Sequence, residues 1–338
     1  MNARLHHRAV PSRVSRPRAS SAHEPHSQFD YVRKTLDGYL DKASDARKRL
    51  LEEPYDAKLL HAWRVNLRRV TATLKDVAKL SDDDDLRDVQ DYLRSCRGAT
   101  GQCRDIDILA HETLPAFIDQ NSNKATGATA AQKVLTDKQE EAHRHAIAAL
   151  KKSNLAVPLR SWQHWSATLE PPTDGRVRKI AGSAIEKRYA AVKKRAAKLD
   201  GSQKRLHRLR SAIKKLRYSI DLYRHAFPKQ FPNAWLKQLA DLQGHLGLAH
   251  DRMMGRQLWD TAVSVEGEAP LRKPFRRWGK RTAYEASEKA APSLAKLDHL
   301  NHFWRKPEDK PAQRRDRKKS RNIVDDSSAS KPPSTATR

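Results

Sequence analysis

The sequence predicts an all-α protein made of two copies of one helical unit, on three observations. Alternating strand-like runs are hard to find in this 338-residue chain of only 12 glycines, whereas apolar positions recur at helical spacing from Phe29 onward. The stretch HRLRSAIKKLRY at residues 207–218 echoes HAWRVNLRRVTATL at 61–74, with an offset of 146 that sets His61 on His207, Arg64 on Arg210, Arg68 on Lys214 and Arg69 on Lys215. Each histidine is followed after 40 residues by a glycine, Gly101 and Gly247, and after 44 by an aspartate, Asp105 and Asp251. Like elements recurring in order over such a span mark a repeated supersecondary unit.

The helices follow in turn. Periodicity starts near Phe29 and runs to Pro54, and a second helix covers 55–80 with the first histidine motif. Ser81 and the aspartates Asp82, Asp83, Asp84 and Asp85 suit a helix start, where the macrodipole favours acids. That third helix should end at Gly98 or Gly101, a fourth should run from Asp105 to about Ile118, and 119–127 reads as a polar loop. A fifth spans 128–152. Residues 155–175, with Pro158, Pro171 and Pro172, read as a joint between halves of about 29–153 and 174–291. Beyond the joint, helices are expected at 176–199, 202–227, 232–246, 249–265 and 270–291.

At about 100° per residue, His207, Arg210, Lys214, Arg217 and Asp221 share one arc, and Leu209, Ile213, Leu216, Ile220 and Tyr223 share the opposite one. The first copy behaves alike, with His61, Arg64, Arg68 and Lys75 opposed to Leu60, Trp63, Leu67, Val70 and Leu74. One face packs and the other is cationic. An ordinary solvated basic face would look the same on a single helix, but solvation does not require a histidine at the same place twice.

The formal charge is +28 and the isoelectric point about 10.3, which points to a polyanionic partner. Residues 1–28 contribute +4 and 305–338 contribute +6, leaving +18 on 29–304, so the folded part is itself basic. Both tails read as disordered basic arms, although residues 1–28, rich in Arg and Ser, superficially resemble an organellar transit sequence. There is no run apolar and long enough for a membrane span and no signal core. Cys96 and Cys103 read as reduced core residues of a cytosolic protein, without a metal-ligand pattern.

These motifs resemble the CHAD family, the conserved histidine α-helical domain. Its pattern of His, Arg three on and paired basic residues seven and eight on is matched by His61, Arg64, Arg68, Arg69 and by His207, Arg210, Lys214, Lys215. The basic residue ten on is present as Arg217 and replaced by Thr71 in the first copy. The Leu-Gly-x-x-basic-Asp element appears as Leu246, Gly247, His250, Asp251 and as Gly101, Arg104, Asp105, with Thr100 in place of leucine. The resemblance covers roughly 29–291. It implies two helical bundles related by a pseudo-twofold axis, a basic central cavity lined by the histidine helices, and binding of inorganic polyphosphate, with members localised to polyphosphate granules. The E-x-E-x-K signature of the CYTH triphosphatase that accompanies some members is missing.

A linear polyphosphate suits such a ridge, because basic side chains at i, i+3, i+7 and i+10 recur about every 5 Å along a helix and arginine can donate to two oxygens at once. The expected binding residues are therefore His61, Arg64, Arg68, Arg69, Arg104, His207, Arg210, Lys214, Lys215 and Arg217. Arg33, Lys34, Arg178, Lys179 and Tyr218 are candidates for the rim. Asp105 and Asp251 are expected to pair with the arginines and hold them extended, or else to cap helices. The histidines would donate to phosphate or orient a neighbour. A binder needing neither cofactor nor metal is the expectation, cytoplasmic, with polyphosphate granules as the location the resemblance implies.

Three alternatives stay open at this stage. His250-Asp251 resembles the dyad of metal phosphohydrolases but lacks the other ligands; two histidines and two aspartates could hold a divalent cation if the halves met; and charge alone also suits nonspecific nucleic-acid binding, in which the tails could take part.

Overall fold

The computed structural model describes residues 27–81, 86–121, 128–200, 202–262 and 269–305. The expectations placed on the N-terminal arm, on Asp82 to Asp85, on the 122–127 loop, on 263–265 and on the tail from 306 lie outside the described residues.

The regular structure among the described residues is all helical, with no strand. Helix α1 (Gln28–Glu52) opens with a capping box: the Ser27 hydroxyl accepts from the Asp30 N–H, and the Asp30 carboxylate accepts from the Ser27 N–H. Helix α2 (Ala57–Val77) is capped by Asp56 and closes in a tight turn, Ala78–Leu80. Helices α3 (Arg87–Ala99), α4 (Gly101–Ile108) and α5 (Leu114–Gln120) follow, then α6 (Ala128–Lys152) and α7 (Ala156–Thr168). After Thr173, which caps it, comes α8 (Asp174–Ala196); Ser202 caps α9 (Gln203–Tyr223). Helices α10 (Gln230–Ala262) and α11 (Ala269–Ala295) follow, with a short turn of 3-10 helix, Lys296–His299, after them.

Apolar stripes decide how these helices pack. Leu60, Trp63, Leu67, Val70 and Leu74 of α2 are buried, in one core with Phe29, Val32, Leu36 and Leu40 of α1; each such burial stabilises by roughly 1.5–3 kcal/mol. Leu209, Ile213, Leu216 and Ile220 of α9 enter a second core with Trp235, Leu239, Leu242 and Leu246 of α10. These cores do not divide at the sequence joint, because Leu222 and Tyr223 of α9, Trp259 of α10 and Phe275 and Trp278 of α11 belong to the first. The opposite faces of α2 and α9, free of large apolar groups, are the cationic ones, and the two helices pack on each other.

Three expectations about elements are corrected. The joint at 155–175 contains α7: Pro158 sits in its first turn, where a missing N–H costs nothing, and Trp162 and Trp165 anchor it, the Trp162 indole donating to Asp37 at 2.6 Å. The helices expected at 232–246 and 249–265 form one α10 of 33 residues. Gly244 and Gly247 each cost it about 1 kcal/mol relative to alanine, but Leu242, Leu246 and Ala249 bury continuously across them. The fourth helix starts at Gly101 rather than Asp105 and passes through a widened turn, Leu109–Thr113, before Pro115. Arg252 of α10 donates to the Thr113 carbonyl at 3.3 Å while its guanidinium lies over the Trp278 ring at 4.4 Å. Close approach here depends on Gly255, where a Cβ would stand 2.8 Å from the Thr113 methyl.

Candidate functional site

Four helices place cations around one region. From α2 come His61, Arg64 and Arg68; from α9, His207, Arg210 and Lys214; Arg97 of α3 and Arg104 of α4 join them. Lys214 is within electrostatic range of His61, and Arg68 is within range of His207, Arg210, Lys214 and Arg97. The two basic ridges therefore converge rather than diverge.

Crowding leaves its mark on the protonation equilibria. Burial first, then the neighbouring Arg210 and Arg68 charges, push Lys214 down to about 6. Burial and the charges of Arg104, Lys214, Arg68 and Arg64 push His61 down to about 4. Arg64 falls to about 10 through burial and Arg68, and Arg97 and Arg210 are lowered mainly by burial. Arg68, Arg69, Arg97, Arg210, Lys214, Lys215 and Arg217 make no ion pair among the described residues, and Arg104 alone of the cluster meets a carboxylate, Glu112, at 3.2 Å. Buried Nε–H groups of Arg68, Arg69, Arg97, Arg104 and Arg210 have no acceptor among the described residues. Buried donors in this number without acceptors are rare in a settled core.

The two arginines three residues after the histidines lie against the two glycines. A Cβ on Gly101 would stand 3.9 Å from an Arg64 nitrogen, and one on Gly247 4.0 Å from an Arg210 nitrogen. Arg64 is tied further: Nη1 donates to the Arg97 carbonyl and, at 2.8 Å, to the Thr100 hydroxyl. Arg217 donates to the Gln243 side-chain oxygen at 2.6 Å. Tyr218 is buried within electrostatic range of Arg97 and Arg210.

At the N-terminal end of α9, an open hollow of about 410 Å³ is lined by Gln203, Lys204, His207, Arg208, His250 and Met254. Asp251 lies 3.2 Å from His250 Nδ1, and His250 Nε2 lies 3.1 Å from His207 Nδ1. With both histidines neutral, this chain sets His250 to donate to Asp251 and accept from His207, which leaves His207 Nε2 a lone pair. His207 thus needs a proton before it can donate to an anion.

The paired basic residues split between faces. Arg68 and Lys214 enter the cluster, whereas Arg69 lies over the Tyr39 ring at 4.9 Å, beside α1. Lys215 is exposed near Arg94, Arg97, Arg188 and Arg195, extending the positive surface away from the hollow. Of the rim candidates, Arg33 is held by Asp30 at 3.1 Å and Arg178 donates to the Ala226 carbonyl at 3.1 Å. Lys34 has partners of its own. Lys179 lines a second hollow of about 280 Å³, with Lys79, Arg176, Ile180 and Ser183, which shares no residue with the cluster.

Asp105 and Asp251 are close enough to Arg64 and Arg210 to favour their charged forms, yet neither makes a contact ion pair with them. Burial raises the Asp105 carboxyl above its ordinary range. Neither aspartate caps a helix: Asp105 lies within α4 and Asp251 in the middle of α10. His61, His207, Asp105 and Asp251 do not form a ligand set; among the described residues one metal-competent group occurs, Cys103, Asp107 and His143.

Sequence reasoning missed Arg97, Arg94 and Arg195, and it singled out His250 only as a motif element beside Asp251, not as a partner of His207. Arg97 had one available signal, its place four residues before Gly101 on the same helical run, but the offset of 146 pairs it with Gln243 and so conceals it from any comparison of repeats.

The all-helical fold has known counterparts. The crystal structure of the CHAD domain from the plant Ricinus communis matches with a TM-score of 0.65 at 22% identity, covering 81% of this chain and 97% of that one. PptA from Streptomyces chartreusis matches with a TM-score of 0.55 at 16% identity, covering 81% and 99%. At such identities the likeness concerns the fold. The CHAD domain family model matches residues 34–260, and the chain belongs to that family. No curated protein matches it.

Proposed function

We propose that the protein binds inorganic polyphosphate along the cationic band of α2, α9, α3 and α4, without catalysing its hydrolysis. The observation that carries this reading is the set of buried guanidinium Nε–H groups of Arg68, Arg97 and Arg210, which have neither a hydrogen-bond acceptor nor a contact ion pair among the described residues. Phosphate oxygens supply both, and arginine geometry suits them. The register of His207, Arg210, Lys214 and Arg217 spans about 15 Å at 1.5 Å per residue, enough for several phosphate units. The equivalent placement of Arg64 over Gly101 and Arg210 over Gly247 supports a duplicated unit presenting two ridges to one channel. The family resemblance argues for the same ligand, and on this reading the protein works in the cytoplasm, associated with polyphosphate granules.

Nucleic acid is the competing polyanion. Against it, all seven tryptophans are buried, so none is available to stack on bases. No helix among the described residues is long and apolar enough to cross a membrane.

The test is competition at matched salt on the full chain. Polyphosphate should displace single- and double-stranded DNA, and Arg210→Ala with Lys214→Ala should weaken polyphosphate binding far more than DNA binding. Equal competition and equal loss would indicate a generic cation surface. Orthophosphate release in the presence of divalent metal would overturn the non-catalytic part.

A further inference from the structure

Below the cationic cluster, on the buried side of α4, lies a group of opposite character. Cys103 and Asp107 stand one turn apart on α4, and His143 reaches them from α6; thiol, carboxylate and imidazole donor atoms all lie within 4.8 Å of one another. Asp107 Oδ1 is 2.9 Å from His143 Nε2, and Oδ2 is 4.0 Å from Cys103 Sγ. The aspartate is fully buried and the cysteine nearly so. No lysine or arginine among the described residues pairs with this carboxylate; His143 is its one ionic neighbour.

The surroundings hold the three donors in place. The Tyr55 hydroxyl donates to Asp107 Oδ2 at 2.6 Å and lies 3.1 Å from the Cys103 sulfur, while its ring stacks on His143 with centroids 3.5 Å apart. The Gln139 amide is 3.0 Å from Asp107 Oδ1 and 2.7 Å from His111 Nε2. One thiolate, one imidazole and one carboxylate form a donor set suited to zinc, which takes sulfur, nitrogen and oxygen tetrahedrally. Tyr55 and Gln139 supply the outer hydrogen bonds that orient such ligands.

We propose that Cys103, Asp107 and His143 bind a zinc-type divalent cation that fastens α4 to α6. On binding, the Cys103 thiol releases its proton and His143 turns its Nε2 lone pair to the metal, keeping its N–H on Nδ1. The dication then balances thiolate and carboxylate, and water or the Gln139 oxygen completes the fourth position. The consequence for the anion site is positional, since α4 also presents Arg104 and Asp105.

Cobalt(II), a visible stand-in for zinc, tests this on the reduced full-length chain. The expected result is one equivalent bound with a thiolate-to-cobalt absorption band, displaced by zinc, lost in Cys103→Ser and kept in Cys96→Ser. His143→Gln, which retains a donor toward Asp107, should weaken zinc binding at least about tenfold with an unchanged helical circular dichroism spectrum, and so carries the test should Cys103→Ser fail to fold. A cobalt spectrum lacking the thiolate band, a band unaltered by Cys103→Ser, or zinc affinity unaltered by His143→Gln would overturn the proposal.

Discussion

The two basic helices carry one pattern but use it differently. On α2, Arg64 is committed to the Arg97 carbonyl and the Thr100 hydroxyl, so it binds α3 to α2 as well as adding charge. On α9, Arg210 has no such bond among the described residues, and its buried Nε–H lacks an acceptor there. A second difference concerns the tenth position. In the second copy Arg217 stands on α9 and bonds to Gln243 of α10; in the first, Thr71 stands on α2 and the basic residue is Arg97 on α3. At the offset of 146, positions 71/217 and 97/243 thus each carry one basic residue, on α9 in one case and on α3 in the other.

The contrast is tested most forcefully on the α9 side. Replacing Arg210 and Lys214 together by alanine should lower polyphosphate affinity by about 2 kcal/mol per lost charge-assisted contact, roughly a thousandfold in all, with the helical circular dichroism retained. Calorimetric titration reads the loss. Arg64→Ala should divide otherwise, costing about 1–3 kcal/mol of fold stability through its two lost bonds and less affinity than Arg210→Ala. Urea denaturation beside the same titration separates the two effects.

Proton linkage comes next in size. In the free protein Lys214 is held down to about 6 by burial and by Arg210 and Arg68. A bound polyanion favours its charged form and raises that value, so binding takes up a proton between about 6 and the bound value. Affinity should therefore rise as pH falls, for a bound lysine that titrates near 7 by about fivefold from pH 8 to 6 and approaching about tenfold near pH 5, where it levels off. Titrations in buffers of different ionisation heat detect the uptake. Without the anion the sign for stability is opposite: the unfolded chain binds more protons above pH 6, so stability falls as pH drops from the ordinary lysine range towards 6 and rises with pH in that window. Lys214→Met should accordingly melt higher at pH 7 while binding polyphosphate less well.

Smaller effects test the exchanged tenth position and the periphery. Arg97→Gln should cost several-fold in affinity, and adding Thr71→Arg, which copies the second unit, should recover it. Arg33→Ala and Arg178→Ala should change affinity less than twofold, because Asp30 and the Ala226 carbonyl already occupy those side chains.

What was legible in the sequence follows from where the information lies. Helix identity and the cationic face of each histidine helix could be read because apolar periodicity and a repeated His-Arg-basic pattern are local, whereas the meeting of the two faces was implied only by the family resemblance. Helix continuity could not: Gly247 looked like a break, and only the burial of Leu246 and Ala249 against neighbouring helices overrides it. Pro158 likewise concealed α7, whose anchor is Trp162 bonding to Asp37 far back in the chain. Arg97 escaped notice because it has no basic counterpart in the other copy, and Arg69 turned aside because a neighbouring position lies about 100° round the helix. The Cys103, Asp107 and His143 group joins α4 to α6, a pairing that spacing alone does not disclose.

Stoichiometry tests the shared-site claim most directly. Polyphosphate of a length that spans both ridges should bind the full chain in one event, and Arg68→Ala on α2 and Arg210→Ala on α9 should each weaken that same event. Two separable events, one lost with each substitution, would contradict it and leave two independent basic helices in place of a common anion site.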